Sequence, residues 1–210
     1  MGLRKWNDAM GRLESKENMK QEFNKLQVFT DKKVRWGSYP MFLKLMEKDC
    51  EIEAFMFILS TWNFARFRYA MRDFDLETFI KEVKKLAPLF QKIQKEDFKS
   101  ISFDKYSLEI KQIFNVLANI KGIEKTGASK LMHLKLPGVF VMWDGYIRKA
   151  YGYNTGNADE YISFLKKMQK MFSKTKIKSD RTLAKLIDEH NYKKFTMPAL
   201  AKVREKRQKP

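Results

Sequence analysis

The residues best suited to chemistry lie in one stretch, "NIKGIEKTGASKLMHLKLPGVFVMWDGYIRKAYG", from Asn119 to Gly152. Asp144 stands beside Trp143 in a segment rich in Lys and Arg, just ahead of the run "GYIRKAYG". An Asp there can cap a helix, and a carboxylate held rigidly by such a cap can also act on a substrate. Upstream, Ile120 ends one predicted helix, "KGIE" turns the chain, and "KTGASKLMHL" begins the next, with Ala128 close-packed after the turn. Backbone N–H groups at the start of that second helix, with Lys121 and Lys125 beside them, can hold a phosphate oxygen. The same residues also describe an ordinary helix–helix corner.

The charge agrees with a phosphate-bearing partner. Lys and Arg number 43 against 25 Asp and Glu, a net charge of +18 in 210 residues. Nucleic acid is the first partner this implies and an anionic membrane surface the second. Cys50 is the sole cysteine, which rules out an intramolecular disulfide and a Cys-based zinc site and suits a reducing, intracellular setting. His133 and His190 are isolated from one another, so both are expected in core or surface roles and no metal site is predicted. The opening "MGLRKWND" lacks the apolar core of a secretion signal, and no apolar run is long enough to span a bilayer. The expectation is a soluble, intracellular protein, cytoplasmic or nucleoid-associated. Phosphate-binding loops of nucleotide hydrolases, serine elbows and paired metal carboxylates do not occur.

The elements that must position these residues read as helices almost throughout. Ser15 to Leu26 is charged and amphipathic, and Pro40 in "GSYPM" marks the start of a helix through Phe42, Leu43 and Met46. Residues 53–70, "EAFMFILSTWNFARFRYA", read as one helix that begins apolar and turns basic, so its far end is a candidate contact surface. Asp75 caps a helix carrying Leu76, Phe79, Ile80, Val83, Leu86, Ala87 and Phe90 at intervals of three and four. Leu108, Ile113, Phe114 and Leu117 mark another, Tyr161 to Phe172 a long one after "NTGNAD", and "RTLAKLIDEH" one more. "VFVMW" is the best strand signal, and residues 201–210 form a basic, frayed tail. The fold class is all-α, one domain over 1–210, arranged as two helical lobes around a cleft.

"IKGIEKTGASK" resembles the helix-hairpin-helix of the DNA glycosylase superfamily named for that element, a Gly/Pro-rich loop and a following Asp. Ile120, Gly122, Ile123 and Ala128 fall on its frame, while Lys121 replaces the usual Pro and Glu124 the second Gly. "LKLPGVFVM" corresponds to the Gly/Pro loop, and Asp144 falls where the family keeps its catalytic aspartate. Upstream, "ILSTWNFARF" is similar to the helix end that plugs the gap left by a flipped nucleotide. Its Asn63, Phe64, Ala65 and Arg66 echo the branch that repairs oxidised guanine.

The resemblance implies a DNA glycosylase that flips a damaged base from duplex DNA and cleaves its N-glycosidic bond. Asp144 would stabilise the oxocarbenium-like sugar or activate a water. Trp62 and Asn63 would fill or probe the gap, and Arg66 would contact the opposite strand. Phe64 is expected in the core. Lys121, Gly122, Thr126, Lys130 and Arg148 complete the DNA-binding set. Thr126 occupies the position where bifunctional members carry a Schiff-base lysine, with Lys125 one residue before it as the candidate in its place. The reaction is therefore expected to be monofunctional, on duplex DNA, by a monomer, without a cofactor beyond room for a monovalent cation at the hairpin backbone. The alternative is a non-enzymatic DNA-binding protein that uses the hairpin only as a phosphate clamp.

Overall fold

The computed structural model describes residues 38–177 and 179–208, and among them every regular element is helical. The expected all-α class is borne out. The amphipathic segment Ser15 to Leu26 lies outside the described residues. No helix among those described is long and apolar enough to cross a membrane.

Helix α1 (Tyr39–Glu47) carries Pro40 in its first turn, where a missing N–H is harmless. Helix α2 (Glu51–Trp62) buries Ala54, Phe55, Ile58 and Leu59. The single helix expected over residues 53–70 is interrupted at Asn63, and α3 (Phe64–Ala70) begins anew. The amides of Arg66 and Phe67 both turn to the Asn63 carbonyl, at 3.0 Å each. In an unbroken helix the Arg66 amide would bond to Trp62, so the break withdraws the usual donor from the Trp62 carbonyl. The cause lies far away in sequence. Asn63 is only 5% exposed, and its Nδ2 donates to the carbonyls of Gly122 (3.0 Å) and Ile123 (3.2 Å).

A short 3-10 turn, Met71–Asp73, leads to α4 (Leu76–Ile93), which Asp75 caps as expected by accepting from the Thr78 amide at 2.9 Å. Phe79, Val83, Leu86, Phe90 and Ile93 form its buried stripe. Helices α5 (Ser107–Ala118) and α6 (Glu124–Lys135) are the most extensively packed pair, and α6 also meets α1 and α2. It is correspondingly central: Gly127, Ala128, Ser129, Leu131, Met132, His133 and Leu134 are all buried.

"VFVMW" is not a strand. Residues 140–144 form no regular element and have no ladder partner, and a buried backbone without a ladder must be satisfied by other groups, side chains among them. Those come from two helices. His133 Nδ1 donates to the Phe140 carbonyl (2.6 Å), Tyr161 donates to that of Val141 (3.0 Å), and the Ser129 hydroxyl pairs with both the carbonyl (3.2 Å) and the amide (3.3 Å) of Trp143. His133 is thereby a core residue, its Nε2 accepting from the Tyr39 hydroxyl at 2.7 Å.

The chain ends with α7 (Gly145–Ala150), α8 (Ala158–Phe172, capped by Asn157), α9 (Leu183–Asn191, capped by Thr182), a π turn (Tyr192–Thr196) and α10 (Met197–Gln208). The expected frayed tail is thus helical through Gln208. The buried apolar residues form one contiguous core from Tyr39 to Ile187. At its centre Trp143 packs against Tyr161 (5.0 Å between centroids), Phe164 (5.4 Å) and Phe114 (6.1 Å).

Candidate active site and nucleic-acid interface

Burial of Trp143 brings Asp144 out at the surface of the core, at the N-terminus of α7. Its Oδ1 accepts from the amides of Tyr146 (2.8 Å) and Ile147 (2.9 Å), and its Oδ2 accepts from the Thr196 hydroxyl at 2.6 Å. The first pair is the helix cap anticipated from sequence; the third bond comes from the π turn, more than fifty residues on. Thr196 is buried, so the carboxylate is gripped from two elements.

Lys130 is the cation next to it. Ser129, which pairs with Trp143, directly precedes Lys130, and Trp143 directly precedes Asp144, so the two hydrogen bonds join the segments that carry the two charges, and Asp144 acts on Lys130 through its charge. The Lys130 ammonium donates to the Trp62 carbonyl at the helix break. Burial pushes its pKa down to about 8, against the pull of Asp144, then Asp188, with Lys185 adding to the depression. The expected phosphate contact is therefore turned inward, half-buried, on the side of α6 that faces Trp62.

A buried charged group lies beyond it. Lys185 is buried and bonds Asp188 (2.7 Å) and Glu189 (3.8 Å), while Arg181 bonds Glu189 (2.7 Å). The Lys185 ammonium lies 4.6 Å from the ring centroid of Tyr39 and 4.7 Å from that of Trp62, two rings that stack at 5.9 Å. Trp62 is accordingly half-buried among Tyr39, Phe42 and Lys185, with its Nε1 on the Ser38 hydroxyl at 3.1 Å. The expected gap-probing role of Asn63 meets a plain obstacle, because its side chain faces the turn between α5 and α6 and is spent on two carbonyls.

Phe64 reverses its expectation. It is 51% exposed where a core position was anticipated. With Asn63 and Phe67 anchored inward, a helical step of about 100° carries the residue after Asn63 outward. Around Phe64 the outer face of α3 presents Arg66, Arg68 and Tyr69, with Arg68 lying 5.5 Å from the Phe64 ring and 4.4 Å from that of Tyr69. Arg66 pairs loosely with Glu124 (3.7 Å), and Lys121 with Asp73 (3.7 Å), so α3 and the α5–α6 turn share one basic surface.

That turn is tightly specified. Gly122 has φ +88°, and a Cβ there would lie 2.4 Å from Ala70 Cβ. Glu124 also takes a left-handed φ of +51°. The carbonyls of Ile120, Gly122 and Ile123 all accept hydrogen bonds within the chain. Thr126 is half-buried in the first turn of α6. Lys125 and Arg148 both reach the Thr155 carbonyl, and the Arg148 guanidinium occupies the space over Gly156. No group of His, Cys, Asp and Glu able to hold a metal occurs among the described residues.

Sequence reasoning thus named Asp144 and Lys130 but not Thr196, Lys185 or Asp188, and it placed Phe64 inside. The "KLIDEH" spacing of Lys185, Asp188 and Glu189 was the available signal for the buried group, since residues three and four apart share a helix face. Comparison of the chain with protein-family models, with curated proteins and with solved structures finds no match.

Proposed function

We propose that the turn between α5 and α6 is a helix-hairpin-helix and that the protein is a monofunctional DNA glycosylase. The observation that carries this reading is Asp144, a carboxylate fixed by three hydrogen bonds and tied through Trp143 and Ser129 to the helix that follows the basic turn. Left-handed backbone at both Gly122 and Glu124 supports it, since these are the positions of the motif's two glycines. The outer face of α3 and the turn form the DNA-binding surface. Its arginines and Lys121 face phosphates, and Phe64 is the side chain free to enter a gap in the duplex.

The chemistry asks little of the protein. Departure of the base leaves positive charge on the sugar, which a fixed carboxylate stabilises. Oδ2 of Asp144 holds one hydrogen bond from Thr196 and keeps a second lone pair for a water or for the sugar. Lys125, engaged on Thr155, is not assigned a lyase role, so the product is an intact abasic strand.

Duplexes carrying a panel of damaged bases, incubated with the protein and then treated with alkali, test the proposal. Cleavage after alkali is expected, with Asp144→Asn lowering the single-turnover rate about 10²- to 10⁴-fold. Asn preserves a capping oxygen, so that variant should fold. No cleavage of any duplex, with salt-dependent binding that Asp144→Asn leaves intact, would make the protein a DNA-binding module instead.

A further inference from the structure

Excision of a base that is neutral in the nucleoside has a second requirement besides stabilising the sugar. The electron pair of the broken C1′–N bond leaves with the base, which departs as an anion unless it is protonated. A base already alkylated to a cation departs neutral and needs no proton. We propose that Lys130 is the general acid that protonates the departing base, so that the substrates are bases neutral in the nucleoside rather than cationic alkylated purines. The inference rests on the glycosylase reading and deepens it.

The geometry supports it in three ways. The Ser129–Trp143 hydrogen bonds join the two segments that carry Lys130 and Asp144, and of the charges acting on Lys130 that of Asp144 is the largest. The ammonium has a single hydrogen-bond acceptor among the described residues, the Trp62 carbonyl, which leaves two of its three N–H donors for a ligand. A cation held away from water also gives up its proton more readily, and burial has brought this one down to about 8. Lys185, the other nearby ammonium, is paired with Asp188 and Glu189.

The step balances. The C1′–N bond breaks, and the base takes its pair together with a proton from Lys130. Water adds to C1′ and gives its proton to Asp144, from which it returns to the Lys130 amine directly or through solvent. Groups facing Lys130 are Asp144 ahead of α7, Asp188 and Lys185 on α9, and the uncharged Trp62 carbonyl at the end of α2; Tyr192 of the π turn faces Asp144 and Asp188.

Single-turnover excision would be measured on duplexes carrying uracil or 8-oxoguanine, both neutral, and 7-methylguanine, which is cationic. Wild type should excise a neutral base at a rate that is level below about pH 8 and falls about tenfold per pH unit above it. Any 7-methylguanine excision, followed below about pH 7 where that base keeps its positive charge, should not depend on the Lys130 ammonium. Lys130→Gln should lose about 10²- to 10⁴-fold on the neutral base and less than about tenfold on 7-methylguanine, and its residual neutral-base rate should also lack the limb, which separates the amine from ionisation of the base itself. If the variant does not fold, the wild-type pH profile on the uracil duplex still decides the matter. Equal losses on both kinds of base, a neutral-base profile without the limb, or excision of 7-methylguanine alone would overturn the inference and leave the glycosylase reading standing. Excision of neither kind would remove that reading and the inference together.

Discussion

Asn63 is where a DNA contact and a structural strut make opposite predictions. Replacing it with Ala removes two hydrogen bonds, to Gly122 and Ile123, and strands the Gly122 carbonyl at a site where the side chain is 5% exposed, while the Ile123 carbonyl keeps the Gly127 amide at 2.9 Å. Each lost bond is worth about 1 kcal/mol, and a buried carbonyl left unsatisfied costs more, so Asn63→Ala should destabilise by about 2–4 kcal/mol. For a chain of this size each kcal/mol lowers Tm by about 2–4 °C, which gives a fall of roughly 4–16 °C. Asn63→Asp sets a carboxylate against the same carbonyls and should be worse at neutral pH. It should recover partly in acid, where the protonated side chain regains one donor. Thermal unfolding followed by circular dichroism, alongside duplex binding by the same variants, is the assay. A Tm unchanged within about 1 °C, combined with lost duplex affinity, would refute the strut and return Asn63 to the duplex.

Three other outcomes follow from the same structure. Phe64→Ala should change stability by no more than about 0.5 kcal/mol, as expected of an exposed side chain, while weakening duplex binding and excision; an unfolded variant would mean that Phe64 is a core residue after all. At the turn, Gly122→Ala should cost about 2–5 kcal/mol in chemical denaturation, from left-handed backbone and the clash with Ala70. Glu124→Gly should instead gain about 0.5 kcal/mol, the relief of its left-handed φ slightly outweighing the added freedom of the unfolded chain and the loss of an exposed ion pair. His133 is held down to about 3 by burial and by Lys185. Because the unfolded chain protonates this ring near 6.5, it binds more protons than the folded one between those values, and stability falls as pH falls through that window. The loss by pH 4.5 should be about 3 kcal/mol, two pH units at about 1.4 kcal/mol each, and the His133 ring signals should not titrate between pH 5 and 7 in the folded state.

Much of the helical architecture was legible because its cause is local. Amphipathic spacing over Leu76 to Phe90 and Tyr161 to Phe172 is a property of neighbouring residues, as are the Asp75 cap and the Asp144 cap. "VFVMW" misled because a buried apolar run looks the same whether its backbone is satisfied by a strand or by side chains. Here His133, Tyr161 and Ser129 supply those bonds from α6 and α8. Residues 53–70 misled in the opposite direction. Nothing in their helical pattern announces a break at Asn63, since the carbonyls that draw its side chain away lie some sixty residues farther on.

By itself, then, the sequence determined an all-helical chain of strongly positive charge, a tight turn at Gly122, and a candidate acid at Asp144 placed to cap a helix. Each of these depends on composition or on residues within one or two helical turns. Only the tertiary structure decided that Phe64 faces outward, that Thr196 grips Asp144, and that Lys130 turns inward to the Trp62 carbonyl. Those outcomes come from packing α2, α6, α9 and the π turn together, and the burial that packing creates is what changes the proton affinity of Lys130 and the company Asp144 keeps.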